Sequence, residues 1–250
     1  MNINVTELKK FLKKATLNYS IDSVQMNISK ERVVSKMITP SSDAIAILNM
    51  DNTILPNIST RDSIVFNFSE PSTTILPYLN LIDESAVTSI DIKEEKIILI
   101  TGKQRSNIFF CSPQVTSVFE ADGPRDDVGY FKTLQLDDDF LEVYNKIKKI
   151  GSKFGKVYFG VENRVLYIET SDKTNRFSNG IKIELCDVDY EDMVICLDYK
   201  NVVNIMSVMN GEETDFTTRF AYVKDQELGM IYFSNEDNSQ KFYLMSKIDR

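Results

Sequence analysis

Landmarks in this 250-residue chain recur at a nearly constant distance. Asp137 opens a helical pattern 131 residues after Thr6 opens another, and a turn at Glu162 follows one at Ser29 by 133. Asp198 follows Ser69 by 129, and a turn at Asp225 follows one at Glu94 by 131. Unrelated segments would scatter more widely, so the spacing predicts two copies of one folding unit.

Each copy reads in the same order. The first starts with Thr6 as a cap and Glu7–Ala15 as a helix, with Leu8, Phe11, Leu12 and Ala15 on one face and Lys9, Lys10, Lys13 and Lys14 on another. The second starts at Asp137-Asp138-Asp139, with Phe140, Tyr144, Ile147 and Ile150 apolar and Lys146, Lys149 and Lys153 as a basic stripe. A strand–turn–strand follows each helix: Val24–Ile28 to Val33–Ile38 around Ser29-Lys30-Glu31, and Val157–Val161 to Val165–Thr170 around Glu162-Asn163-Arg164. A further strand then enters a shorter helix. In the first copy Phe66–Phe68 leads through Ser69-Glu70-Pro71 to about Asp83, and in the second Val194–Leu197 leads through Asp198 to a stop at Asn210-Gly211. Hairpins over Ser89–Thr101 and Arg219–Ser234 close the copies. The pattern predicts an α+β fold of two similar domains, residues 1–111 and 130–250, each with two helices on antiparallel sheets. Residues 112–129, punctuated by Pro113, Gly123, Pro124 and Gly129, connect them.

The composition removes whole classes of chemistry. Apolar residues make up 42% of the chain, enough for a packed core. With no His, neither a Ser-His-Asp triad nor His-ligated zinc can be built. Cys111, Cys186 and Cys196 are odd in number and form no CxxC, which predicts reduced, packed thiols in place of a disulfide framework. The sequence has no GxGxxG, and Gly155–Gly160 continues without the Lys-Ser/Thr of a phosphate loop. No apolar run approaches a membrane span and the N-terminus lacks a signal core, so a soluble, cytoplasmic chain is expected. Net charge is −8, so any nucleic-acid contact must come from a local patch. Residues 1–125 carry 13 basic and 14 acidic side chains, and residues 126–250 carry 16 and 23.

With the duplication in view, the chain resembles the DNA polymerase sliding clamps, the kind that includes PCNA and tailed-phage processivity factors. Leu8-Lys9-Lys10-Phe11-Leu12 is similar to the clamp's first helix, and Ser41-Ser42-Asp43 before apolar Ala44–Leu48 to its Asp-Ser-Ser-His stretch. Lys149-Ile150-Gly151 is similar to the end of the third helix. Lys241-Phe242-Tyr243-Leu244-Met245-Ser246-Lys247-Ile248-Asp249 resembles the Lys-Tyr-Tyr-Leu-Ala-Pro-Lys-Ile-Glu with which PCNA closes. Met245-Ser246 replaces Ala-Pro, and the shorter helices carry Lys200 alone.

The resemblance implies a non-catalytic homotrimeric ring without cofactor or metal. It encircles double-stranded DNA without reading sequence, tethers a DNA polymerase and is opened by an ATP-dependent clamp loader. Lys9, Lys10, Lys13, Lys14, Lys146, Lys149 and Lys153 would face the DNA. Ile108, Phe109 and Phe110 of one copy would meet Phe177, Ile181 and Ile183 of the next, along Asn107–Ser112 and Phe177–Glu184. Ala44, Ala46, Val115, Val118, Tyr243, Met245 and Ile248 would wall a pocket for partner peptides. The Asn/Ile/Lys-rich usage would suit a phage of an AT-rich host, placing the protein in the host cytoplasm.

Two other classes fit parts of the sequence. A β-rich scaffold or virion-type interaction protein would use the duplication merely to build a framework, and its lysines would be a solvated face favoured by the helix dipole. A carboxylate–metal nuclease would draw on Asp137–Asp139, on Asp187, Asp189, Glu191 and Asp192, or on Glu212, Glu213 and Asp215. Adjacent carboxylates in a capping turn cannot all point at one ion, which favours caps and solvated loops for these clusters.

Overall fold

A computed structural model of the chain describes residues 1–59, 63–83, 85–121, 123, 129–174, 179–210, 215–224 and 228–246, apart from the side chain of Asp138. They form two compact units. The first contains Met1–Pro40 and Ala46–Glu120, and the second contains Ser41–Ile45 and Ala121–Arg250.

The first unit opens with β1 (Asn2–Ile3) and helix α1 (Val5–Ala15). Asn4, not Thr6, caps this helix: its side-chain oxygen accepts the Glu7 N–H at 3.2 Å, and Thr6 lies inside the first turn. Val5, Leu8, Phe11, Leu12 and Ala15 are buried along one side, each large side chain contributing roughly 1.5–3 kcal/mol of burial. Past the helix, Leu17, Asn18 and Tyr19 all have positive φ, 48°, 55° and 63°. Strands β2 (Ser23–Ile28), β3 (Arg32–Ile38), β4 (Ala44–Asp51) and β5 (Ile64–Ser69) follow, in the sheet order β5-β2-β3-β4. The single short helix expected after β5 is two: α2 (Pro71–Thr74) and α3 (Leu76–Asn80). Pro77 has no N–H to return to the Thr73 carbonyl, so the helix restarts at Ile75. Pro71 does occupy the first helical turn, as anticipated. Strands β6 (Thr88–Ile92), β7 (Lys96–Thr101) and β8 (Gln104–Phe109) complete a second sheet, ordered β1-β6-β7-β8.

The second unit repeats the plan. Strand β9 (Tyr130–Gln135) precedes α4 (Asp138–Gly151), whose cap is Asp137, accepting the Phe140 N–H at 2.9 Å. Strands β10 (Lys156–Glu162) and β11 (Val165–Thr170) join through Asn163 and Arg164, both at positive φ, a two-residue hairpin turn. Strands β12 (Ile181–Asp187) and β13 (Met193–Asp198) make the sheet β12-β11-β10-β13. Helix α5 (Tyr199–Met209) is capped by Asp198, which accepts the Lys200 and Asn201 N–H groups at 2.9 and 3.3 Å. Its predicted stop reaches Asn210, while Gly211 lies outside the described residues, as does the turn at Asp225–Gln226. Strands β14 (Phe216–Val223), β15 (Leu228–Asn235) and β16 (Gln240–Met245) pair in succession, with β9 against β14. Phe216, Phe220, Phe233 and Phe242 fill this core.

The early segment Ser41–Ile45 is part of that second core. Buried Asp43 accepts the Ser41 hydroxyl at 2.5 Å and the Asn201 side-chain amide at 2.9 Å, both on Oδ1. Its carbonyl accepts the Met245 N–H at 2.9 Å. No helix among the described residues is long and apolar enough to cross a membrane.

Candidate nucleic-acid interface and sheet edges

The basic stripes are helix faces left over once the apolar faces are buried. On α1, Lys10 and Lys13 are exposed and Lys9 is half-buried. Lys14 departs from expectation at 5% exposure: it lies on the flank of the buried face, where its aliphatic stem is drawn into the interior. Lys10 Nζ lies 3.0 Å from Glu7 Oε1. On α4, Lys146 and Lys149 are exposed, and so is Lys148, which sequence reasoning left out of the stripe; Lys153, also exposed, departs from expectation by lying in the turn past the helix end at Gly151. Lys148 sits on the shoulder of the helix, its ammonium 6.0 Å from the Tyr144 ring. Lys146 Nζ pairs with Glu142 Oε1 at 2.6 Å, and this ammonium holds the Glu142 carboxyl below the ordinary carboxylate range. Each stripe thus carries one internal carboxylate that partly offsets its charge.

Strands β8 and β12 each lie at an end of their sheet's order. Along β8, Ser106 and Ile108 are buried while Arg105, Asn107 and Phe109 are exposed, Phe109 at 62%. Of the three proposed interface residues here, Ile108 therefore faces its own core. Phe110 also turns inward, its ring 5.4 Å from that of Phe66 and 5.5 Å from that of Phe68. Phe109 alone of the three presents its ring, with Lys96 Nζ 5.1 Å from the centroid. On β12, Ile181 and Ile183 are half-buried; Phe177 lies outside the described residues.

The outer face of the β12-β11-β10-β13 sheet is built from close contacts. Tyr167 lies opposite Gly160, and a Cβ on that glycine would come within 2.5 Å of the tyrosine ring. Lys182 Nζ covers the ring at 3.9 Å and also pairs with Glu162.

The residues carried over as a peptide pocket fall in different places. Ala44 and Ala46 are fully buried and Tyr243 is 3% exposed, so in this structure they are interior side chains and not an open wall. Tyr243 stacks on Tyr232 at 4.7 Å and Gly123 lies against its hydroxyl; burial pushes its phenol far up. Val115 is exposed at 58%, Val118 bridges to Met37, and Met245 is half-buried. Ile248 lies outside the described residues.

Asp137 and Asp198 are caps, and Asp192 accepts the Asn163 N–H at 2.9 Å. Glu212 and Glu213 lie outside the described residues. Among the described residues no group of three or more His, Cys, Asp or Glu is placed to hold a metal ion. The three cysteines are half-buried and none is in a disulfide, and burial pushes the Cys111 thiol up.

No family model and no curated protein matches the chain at the sequence level. Solved structures do match it, along its whole length. The PCNA of A. fulgidus, in a structure with the C-terminal region of FEN-1 bound, superposes with a TM-score of 0.65 at 12% identity, covering 100% of this chain and 98% of that one. Proliferating cellular nuclear antigen from Entamoeba histolytica gives 0.66 at 11%, covering 99% and 98%. A DnaN sliding clamp from Pseudomonas aeruginosa gives 0.66 at 12%, covering 99% of this chain and 64% of that one. What is shared is the fold, two α+β units with helices on antiparallel sheets, as the duplicated sequence predicted.

Proposed function

We infer that this chain, which has the sliding-clamp fold, is a DNA sliding clamp that works as a homotrimeric ring. The observation that carries the reading is the match of the whole chain to nearly the whole length of two PCNA chains. The exposed lysines on α1 and α4 and the strands at the ends of two sheets support it. Three two-unit chains joined head to tail would close, a heterologous contact whose rotation completes a ring. The role is topological, not catalytic. A ring around duplex DNA keeps a bound polymerase at high effective concentration near the primer end. Lys9, Lys10, Lys13, Lys146, Lys148, Lys149 and Lys153 would meet phosphates without base contacts, and such contacts let a protein slide. An ATP-dependent loader would open the ring, and the Asn/Ile/Lys-rich composition would suit a phage source.

The test is retention on DNA. A loaded ring should stay on nicked circular DNA and run off when the circle is linearised. Replacing Lys9, Lys13, Lys146 and Lys149 by Ala should lower retention most at low salt and make it less salt-dependent, because each lost phosphate contact reduces the salt slope by about 0.9. Equal retention on circular and linear DNA would overturn the reading.

A further inference from the structure

The chain holds two Asn-Gly pairs, Asn179-Gly180 and Asn210-Gly211, and the second glycine lies outside the described residues. The first pair stands directly before β12. A Cβ on Gly180 would come within 2.5 Å of Ser171 Cβ and 2.8 Å of the Thr170 carbonyl oxygen, so the close approach of these two segments requires a glycine. The same missing side chain leaves the Gly180 nitrogen open to its neighbour in the chain. Asn179 and Gly180 are both exposed. Among the described residues no hydrogen bond engages the Asn179 side chain or the Gly180 N–H.

Other asparagines are held. Asn52 donates to the Ser29 and Leu55 carbonyls and accepts the Leu55 N–H. Asn235 donates to the Ser239 hydroxyl and accepts the Gln240 N–H, and Asn201 donates to Asp43. Such bonds fix the side-chain amide, whereas that of Asn179 can rotate onto the nitrogen that follows it. Asn107 is exposed as well, but it lies inside β8, and the residue after it is the β-branched Ile108, paired with Ile97 in the β7–β8 ladder. Its following nitrogen is both crowded and fixed.

We propose that Asn179-Gly180 is a site of spontaneous deamidation. The Gly180 nitrogen bonds to the Asn179 side-chain carbonyl carbon, and the proton it loses leaves with the side-chain amide nitrogen as ammonia. A five-membered succinimide results. Water then adds to one of the two ring carbonyls and breaks that carbon's bond to nitrogen, giving aspartate or isoaspartate. One water is consumed and one ammonia released, with no change of oxidation state. Either product carries a carboxylate where the amide stood. Isoaspartate also routes the main chain through the former side chain and lengthens it by one carbon. The extra atom falls just before the Ile181–Thr170 pair, where β12 joins β11, so the strand should fray from that end. One consequence rests on the ring reading above, in which residues 177–184 meet the next copy: a chain left unassembled would lose its competence to assemble as it ages.

Peptide mapping of the full chain, aged in mildly alkaline buffer, tests the chemistry. The Asn179 peptide should be lost to two products, each heavier by the difference between a carboxylic acid and an amide, while the Asn107 peptide is unchanged. Protein isoaspartyl methyltransferase should label this segment in aged wild type. It should leave the segment unlabelled in Asn179→Gln, whose side chain would need a six-membered ring. Conversion of Asn179 no faster than that of Asn107 overturns the proposal, whatever Asn210 does. By light scattering, aged wild type should assemble less than aged Asn179→Gln. Equal assembly of the two after conversion overturns the consequence for assembly. A fresh wild type that is monomeric at every concentration overturns the ring reading, and the peptide map still decides the chemistry.

Discussion

Helix α1 leaves its last turn through Leu17, Asn18 and Tyr19, all left-handed, whereas the chain beyond α4 turns with Gly155 at φ 69°. The halves differ at their hairpins too. The β2–β3 turn is held by the Ser29 hydroxyl and by the Asn52 side chain, which donates to the Ser29 carbonyl at 2.6 Å. The β10–β11 turn needs only two left-handed residues. The shorter helix of the first half is broken at Ile75, while α5 runs unbroken for 11 residues. Left-handed residues other than glycine cost roughly 1–2 kcal/mol each, and the fully buried Leu17 and Ile21 side chains offset that cost in the first half. Two sequences can therefore reach one architecture by placing strain in different spots, provided each spot has a local source of burial or hydrogen bonding.

The sharpest way to break the symmetry is Asp43→Ala. It removes the acceptor for Asn201 and Ser41 and should destabilise the second unit by about 2–3 kcal/mol. In hydrogen exchange, amides of α5 and β16 should lose protection while those of α1 hold theirs. Next in size is Gly160→Ala, whose Cβ collides with Tyr167 and, at 2.8 Å, with the Met193 carbonyl. A loss of roughly 1–3 kcal/mol in denaturant unfolding is expected, and less than an additive loss when Tyr167→Ala is added.

A smaller change, Tyr144→Phe, deletes the hydroxyl that donates to the Val203 carbonyl at 3.1 Å, worth about 1 kcal/mol. Burial, with a lesser contribution from Tyr199, pushes the Tyr144 phenol up to about 12. Because the folded chain favours the protonated phenol, its contribution is fully present below the unfolded value near ~10 and is lost as pH rises towards 12. The gap between wild type and Tyr144→Phe should narrow across that window, and α1, which has no tyrosine, should show no such effect. The smallest contrast lies in the exits themselves. Gly155→Ala should cost about 1 kcal/mol in urea, whereas Asn18→Gly should stay within about 0.5 kcal/mol of wild type, since Asn already tolerates the left-handed region.

What could be read in the sequence was local. Asp137, Asp198 and the Glu162–Arg164 turn announce themselves through capping and turn chemistry within three or four residues. The helix break was legible in principle, because Pro77 stands in the middle of the segment read as one helix. The inward turn of Phe110 beside outward Phe109 depends on where the β7 hydrogen bonds fall, which composition cannot tell. Burial of Lys14, Ala44, Ala46 and Tyr243 reflects what packs over them. For the proposed site, the lysine stripes came from periodicity alone. A hydrogen bond such as Asp43 to Asn201 joins residues 158 positions apart and leaves no pattern in either neighbourhood.

That same bond has a consequence in time. Ser41–Ile45 leaves a ribosome long before α5 exists, and at ~5–20 residues per second the wait is roughly 8–30 s. During it, Asp43 has neither Asn201 nor the Met245 amide to receive. The first half can fold its helix and hairpins meanwhile, but this short segment stays unfinished until nearly the whole chain has been made. Synthesis of the second half is thus the event that gives this early segment its core, and a chain stopped early would leave its backbone groups unpaired.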